Sequence, residues 1–192
     1  MWEKLAFAVW IRVLMLYRPV ALFTAINQLD WYQQSLRRWV QGHELASGAR
    51  ILEAGCATGT LSEYLAASGY EVSAVDASAG MIAAATKDPH VAEYRVAEVG
   101  SLPYANASYD AIICASLINI VDDPQAALRE MTRVCKPGGV ISVLVPAQGF
   151  SDTDLHQLMT TLNLTGFSRA AMRAWHRLAP KMDARAVEYL LL

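Results

Sequence analysis

The sequence predicts an α/β fold with a doubly wound, mostly parallel sheet, and three observations carry that expectation. Ile51 to Gly59 reads I-L-E-A-G-C-A-T-G, with a helical pattern after it at Leu61, Tyr64, Leu65 and Ala66. Strand, small-residue turn and helix start therefore follow one another. Further short apolar runs at 71–75, 94–96, 111–114 and 140–145 alternate with helical stretches, as in parallel strands joined by crossover helices. Acidic residues stand at or just past two strand ends, Asp76 and Glu98, where open α/β sheets bind ligands.

At 192 residues the chain suits a large single core, and 54% apolar against 18% charged residues argues against disorder. Cys56, Cys114 and Cys135 lie far apart without a C-x-x-C pair, so neither a disulfide framework nor a metal site is expected, and the cytoplasm is the expected compartment. The net charge of −2 is unevenly spread: residues 1–46 carry +2, residues 47–165 carry −7 and residues 166–192 carry +3. An acidic middle excludes broad nucleic-acid binding there, because phosphate contacts need a basic surface.

Residues 1–46 have no glycine before Gly42 and read as two or three helices, with Pro19 ending the first and starting the next. The apolar run is too short for a membrane span and is interrupted by Arg12 and Arg18. A signal peptide is not expected either, since Arg12 interrupts the apolar stretch. Three roles stay open for this segment: a helix packed on the domain, a lid with Tyr17, Trp31 and Tyr32 as wall residues, or an interfacial helix holding residues 1–30 at a membrane surface.

The turn at Gly55, Cys56, Ala57 and Gly59 needs small residues because the backbone bends sharply and approaches a ligand. Asp76 closes the second strand, E-V-S-A-V-D, about 20 residues past the turn. There it either accepts hydrogen bonds from ribose hydroxyls or caps the next helix, sharing that task with Ser78. Ala77 and the helix from about Ala79 to Lys87 follow. Tyr94 to Val96 is a short third strand, leading into A-E-V-G-S-L-P-Y at 97–104. Ala111 to Cys114 is a buried fourth strand, followed by the loop A-S-L-I-N-I-V-D-D-P. Asp123-Pro124 starts a helix through Val134, Lys136 to Gly139 turns into a fifth strand over Val140 to Val145, and a helix spans about Thr153 to Leu162.

Glu53-x-Gly55-x-Ala57-x-Gly59 with Asp76, Ser78 and Met81, the loop at 97–104 and R-V-C-K-P-G-G-V-I-S-V at 133–143 together resemble class I S-adenosylmethionine (SAM) dependent methyltransferases. The likeness is to those of the small-molecule, ubiquinone/menaquinone-methyltransferase-like type. Ala57 departs from the glycine usual in that family, and Glu98 is one methylene longer than the usual aspartate.

The resemblance implies a Rossmann-like sheet with N-terminal helices before it and an antiparallel C-terminal hairpin. Gly166-Phe167 would open one strand of that hairpin and Val187 to Leu192 the other, although the composition of 168–178 favours a helix. It implies SAM bound by Glu53, Gly55, Cys56, Ala57, Gly59, Asp76, Ala77, Met81, Glu98, Val99, Ala115 and Ser116. Met81 would lie by the adenine, Glu98 would take its amino group, and Val99 would offer a backbone N–H. Residues 1–46 would be a helical lid or interfacial segment and 47–192 the SAM-binding domain.

The expected activity is an in-line methyl transfer to a small or amphiphilic acceptor, a lipid, quinone, thiol or amine. Tyr17, Trp31, Tyr32 and Asn119 are the candidate acceptor wall. Asn119 and Ile120 stand where relatives often carry histidines, so no catalytic histidine carries over; His156 and Asp152 are nearby titratable groups without an assigned role. Two alternatives stay open: an NAD(P)-dependent oxidoreductase, which would share the glycine turn and Asp76 but would need a Tyr-x-x-x-Lys pair, and a non-catalytic SAM-binding or membrane-interaction module. Basic residues Arg169, Arg173, Arg177, Lys181 and Arg185 recur every fourth position, as a solvated face or a surface for an anionic group.

Overall fold

The computed structural model describes residues 17–86 and 93–178. In chain order the elements are α1 (Pro19–Asn27), α2 (Asp30–Gln41), β1 (Arg50–Ala54), α3 (Thr60–Ala67), β2 (Glu71–Asp76), α4 (Ala79–Ala85), β3 (Glu93–Val96), β4 (Tyr109–Ala115), α5 (Pro124–Val134), β5 (Cys135–Leu144), α6 (Asp152–Thr161) and α7 (Gly166–Leu178). The five strands pair in the order β3-β2-β1-β4-β5, every pair parallel. The chain builds outward from β1 to β3 and then returns to lay β4 on the other side of β1. That reversal leaves a crevice at the C-terminal ends of β1 and β4, where α/β sheets of this kind take ligands.

Strand residues alternate between two apolar layers, as a period of two requires. Leu52, Ala54, Val75, Ile112 and Cys114 point to the side covered by Ala127, Leu128, Met131 and Val134 of α5. Ile51, Val72, Ala74 and Ile113 point to the side covered by Leu61 and Leu65 of α3 and by Leu36 and Val40 of α2. A third cluster joins Leu29 and Trp31 to Leu155 and Met159 of α6 and to Ala171 and Met172 of α7. Tyr32 packs against both the second and the third cluster.

Local signals explain most element ends. Pro19 opens α1 and Pro124 opens α5, where an absent N–H costs nothing. Ser78, Asp123 and Ser151 accept from the first turns of α4, α5 and α6, and Ser151 with Asp154 forms a capping box. The K-P-G-G run belongs to β5 as an irregularity in its ladder: Tyr109 faces Cys135 and Ala111 faces Val140, so residues 136–139 bulge opposite Asp110. A 2.7 Å ion pair from Lys136 Nζ to Asp110 Oδ1 holds the bulge. At Gly139 a Cβ would come within 2.7 Å of the Asp110 carbonyl oxygen.

The C-terminal expectation is corrected. Residues 166–178 form a helix, and all five strands of the sheet are parallel. Ala171, Met172, Ala174 and His176 are buried, with Arg173 and Arg177 exposed on the other side, so the spacing of four that suits either element is helical here. The expected strand at 187–192, the helix over residues 1–16 and the cations Lys181 and Arg185 lie outside the described residues. No helix among the described residues is long and apolar enough to cross a membrane.

Candidate functional site

The turn after β1 is stitched to the end of β2. Gly55 N and Cys56 N both donate to the Val75 carbonyl, at 2.8 and 2.9 Å, and Ala57 N donates to Asp76 Oδ2 at 3.0 Å. Gly55 and Gly59 have φ of 83° and 84°, left-handed values that glycine adopts without strain. A Cβ on Gly55 would meet Leu117 Cδ2 at 2.8 Å, and one on Gly59 would collide with the Tyr94 hydroxyl. The protein's own packing therefore demands these glycines, besides any ligand. Ala57 also sits left-handed, at φ 47°, so the residue that departs from the family pattern holds a conformation suited to glycine.

Asp76 is half-buried at the tip of β2 and its second oxygen accepts from Ser78 N at 2.9 Å. The cap of α4 falls to Ser78, whose Oγ accepts from Met81 N at 3.3 Å. Each Asp76 oxygen thus spends one lone pair on the backbone and keeps another for a hydroxyl donor.

Glu53 lies one residue before the end of β1 and is only 3% exposed. It accepts a hydrogen bond from the Ser62 hydroxyl, in the first turn of α3. The turn places the helix N-terminus directly against the chain's own carboxylate. Burial is the main cause that pushes the Glu53 carboxyl up to about 7; Asp76 and Glu63 push the same way and Ser62 opposes them. Neither Glu53 nor Asp76 makes an ion pair among the described residues.

At the far side of the crevice, Ser116 follows β4 with φ 56°, its N–H donating to the Leu144 carbonyl at 2.7 Å. Its side chain lies close enough to the Tyr32 hydroxyl of α2 to act on it. Burial raises the Tyr32 phenol above its ordinary value, Ser116 pulls it back, and Glu53 adds an upward push. Tyr32, Ser116, Glu53 and Asp76 thus form one electrostatically coupled group across α2, β4, β1 and β2.

The other expected site residues divide by position. Ala115 is half-buried beside Ser116, and Cys56 is buried in the turn, its thiol raised mainly by burial. Met81 is buried, while Ala77 is exposed. The tips of β2 and β3 adjoin, with Asp76 opposite Val96 and Ala97 N donating to the Asp76 carbonyl at 3.0 Å. Glu98 is exposed just past that tip, and the Val99 side chain is in the core. The loop that carries them is pinned by Arg133, which donates to the carbonyls of Leu102 and Tyr104 at 2.9 and 2.7 Å. Asn119 is half-buried in the loop after β4.

Trp31 is buried in the third cluster, edge-on to Tyr32, and Tyr17 is 79% exposed and not brought to the crevice. His156 is exposed, and Asp152 pairs with the buried His176 at 3.3 Å. Two contacts went unread in the sequence. Asn27, 8% exposed, donates to Thr58 Oγ1 at 2.9 Å, and a Cβ on Gly80 would meet Val20 at 3.2 Å. Together they set α1 over the turn and over α4. A lone asparagine inside the apolar stretch A-L-F-T-A-I-N-Q-L was the available signal for the first.

A buried Glu53 and a half-buried Asp76, neither ion-paired among the described residues, fit a positively charged nucleoside such as SAM. They do not suit a dinucleotide, whose pyrophosphate needs the helix N-terminus that Glu53 occupies.

Residues 52–143 match the methyltransferase domain family. A malonyl-[acyl-carrier protein] O-methyltransferase from Enterobacter lignolyticus is 36% identical over 94 residues, covering 49% of this chain and 38% of that protein. A demethylmenaquinone methyltransferase from Renibacterium salmoninarum is 35% identical over 111 residues, covering 56% and 47%. The chain spans less than half the length of these curated relatives. The crystal structure of a SAM-dependent methyltransferase from Aquifex aeolicus superposes with a TM-score of 0.59 at 17% identity, over 75% of this chain and 86% of that one, and so shares the fold.

Proposed function

On the premise that residues 52–143 are a class I SAM-dependent methyltransferase domain, we propose that the chain binds SAM at the β1–β4 crevice and transfers its methyl group to a small or amphiphilic acceptor. The observation that carries this reading is the cation-poor acidic crevice, in which Glu53 takes up the N-terminus of α3 and Asp76 keeps outward acceptors. In this reading Asp76 holds the ribose, Glu98 and the Val99 backbone meet the adenine, and the ends of β1 and β4, through Ala115 and Ser116, face the amino-acid portion. When bound, SAM supplies a methyl group already activated by its sulfonium charge. The protein's share is then to orient the acceptor and exclude water.

Residues 19–41 serve as the lid over a domain that begins near residue 47. The Asn27–Thr58 bond and the Val20–Gly80 contact close it on the glycine turn, and Tyr32 faces Ser116 beneath it. Tyr32 packs against the buried cluster of Trp31, Leu155, Met159 and Met172, which sets an apolar wall behind it. The relative named a demethylmenaquinone methyltransferase supports an amphiphilic acceptor. Where the acceptor is a lipid or quinone, residues 1–30 rest on the membrane surface from the cytoplasmic side. Loss of liposome flotation on deleting residues 1–18 would support that contact, and unchanged flotation would remove it.

Calorimetric titration with SAM and with NADH tests the cofactor. Binding of SAM alone is expected, with a loss of at least about tenfold in affinity for Asp76→Asn combined with Glu98→Gln, the size of one or two charge-assisted hydrogen bonds. Unchanged affinity in the double variant, or tighter binding of NADH, would reject the assignment. Radiolabelled transfer into quinone, lipid, thiol and amine pools then identifies the acceptor.

A further inference from the structure

The groups that interact electrostatically with Glu53 come from five parts of the fold. They are Tyr32 on α2, Cys56 in the turn, Ser62 and Glu63 on α3, Asp76 on β2 and Cys114 on β4. Two are carboxylates, and the phenol and both thiols are raised by burial, so they are neutral at physiological pH. Not one of them is a cation. Glu53, 97% buried and held by the Ser62 hydroxyl, meets no cationic side chain among the described residues and so lacks, among them, the counter-charge that buried ions need.

We propose that Glu53 is the residue by which the site distinguishes the sulfonium cofactor from its neutral thioether product: it is protonated in the free protein, releases its proton to solvent when SAM binds, and recovers one from solvent once the methyl group has left. The inference rests on the methyltransferase reading above. In the transfer, the S–CH3 bond breaks, the bond from the acceptor to that carbon forms, and the electron pair stays on sulfur. The positive charge thereby leaves the sulfur, and with it the reason for Glu53 to remain ionised. S-adenosylhomocysteine (SAH) retains the nucleoside and amino-acid groups, so the two ligands differ at the sulfur alone.

The carboxyl held up to about 7 in the free protein sets the pH window. SAM affinity should fall about tenfold from pH 8 to pH 6, and SAH affinity should stay nearly level over the same range. Full-length protein is titrated calorimetrically with SAM and with SAH from about pH 5.5 to about pH 8.5, each in two buffers of different ionisation enthalpy, which counts the protons exchanged. The expected result is release of a large fraction of one proton with SAM near neutral pH, and much less with SAH. Glu53→Gln should abolish that release and make the SAM-to-SAH affinity ratio independent of pH. Ser62→Ala keeps the carboxyl but removes its hydroxyl donor, and should move the release to higher pH.

Binding of both ligands with the same pH profile, or proton release that persists in Glu53→Gln, would overturn the proposal and leave the methyltransferase reading standing. Failure of the wild-type protein to bind either ligand would overturn both.

Discussion

Glu53 makes a strong prediction about stability in the absence of any ligand. Its carboxyl has an ordinary value of 4.5 and is raised to about 7 in the folded chain, chiefly by burial. A raised acid holds its proton in the native state where the unfolded chain has already lost it. Native protein therefore binds more protons between these two values, and stability falls as pH rises through that window and levels off above it. At about 1.4 kcal/mol for each pH unit of displacement, the loss is about 3 kcal/mol, a large part of the 5–15 kcal/mol typical of whole domains.

Glu53→Gln removes the ionisation while keeping an oxygen that accepts from Ser62. Urea unfolding of both proteins at about pH 5, 6, 7 and 8 reads the effect, because titrating groups that do not interact with Glu53 cancel in the difference. The variant should gain on the wild type as pH rises, by about 2.5 kcal/mol between pH 5 and pH 8, and the gain should be nearly complete slightly above pH 7. A difference that does not change with pH would show that Glu53 is already ionised in the fold. The charge argument for the site would fall with it.

Other changes probe the frame around the crevice. Ala57→Gly relieves a left-handed alanine at φ 47° and should stabilise by about 1 kcal/mol, raising Tm by roughly 2–4 °C in calorimetry. Arg133→Ala removes donors to the carbonyls of Leu102 and Tyr104 and should cost about 2 kcal/mol in urea unfolding. Faster amide exchange in residues 98–106 is expected in the same variant, and Arg133→Lys should restore little because it lacks the fork. Asn27→Ala breaks the side-chain hydrogen bond from α1 to the turn and should speed SAM dissociation in stopped-flow fluorescence, with the SAM-free melting temperature lowered only slightly. An unchanged dissociation rate would count against the lid.

Much of the frame was legible because it depends on short-range chemistry. I-L-E-A-G-C-A-T-G marks β1 and its turn by the contrast of β-prone with small residues, and Asp76 marks the end of β2 by position alone. Pro19, Ser78 and Asp123-Pro124 announced helix starts through their missing N–H or side-chain acceptors. The C-terminal region was not legible in the same way. Arginines at every fourth position serve a strand or a helix equally, and burial of Ala171, Met172 and His176 selected the helix.

By itself, then, the sequence determined which residues stand at the ends of the strands, because alternation, turn chemistry and caps act over a few positions along the chain. Tertiary structure alone decided the electrical character of the crevice. Tyr32, Glu53, Asp76 and Ser116 are far apart in the chain, and their coupling exists only once β4 returns beside β1 and α2 settles over both. Burial in that arrangement, a property no residue has alone, pushes the carboxyl of an ordinary glutamate up to about 7.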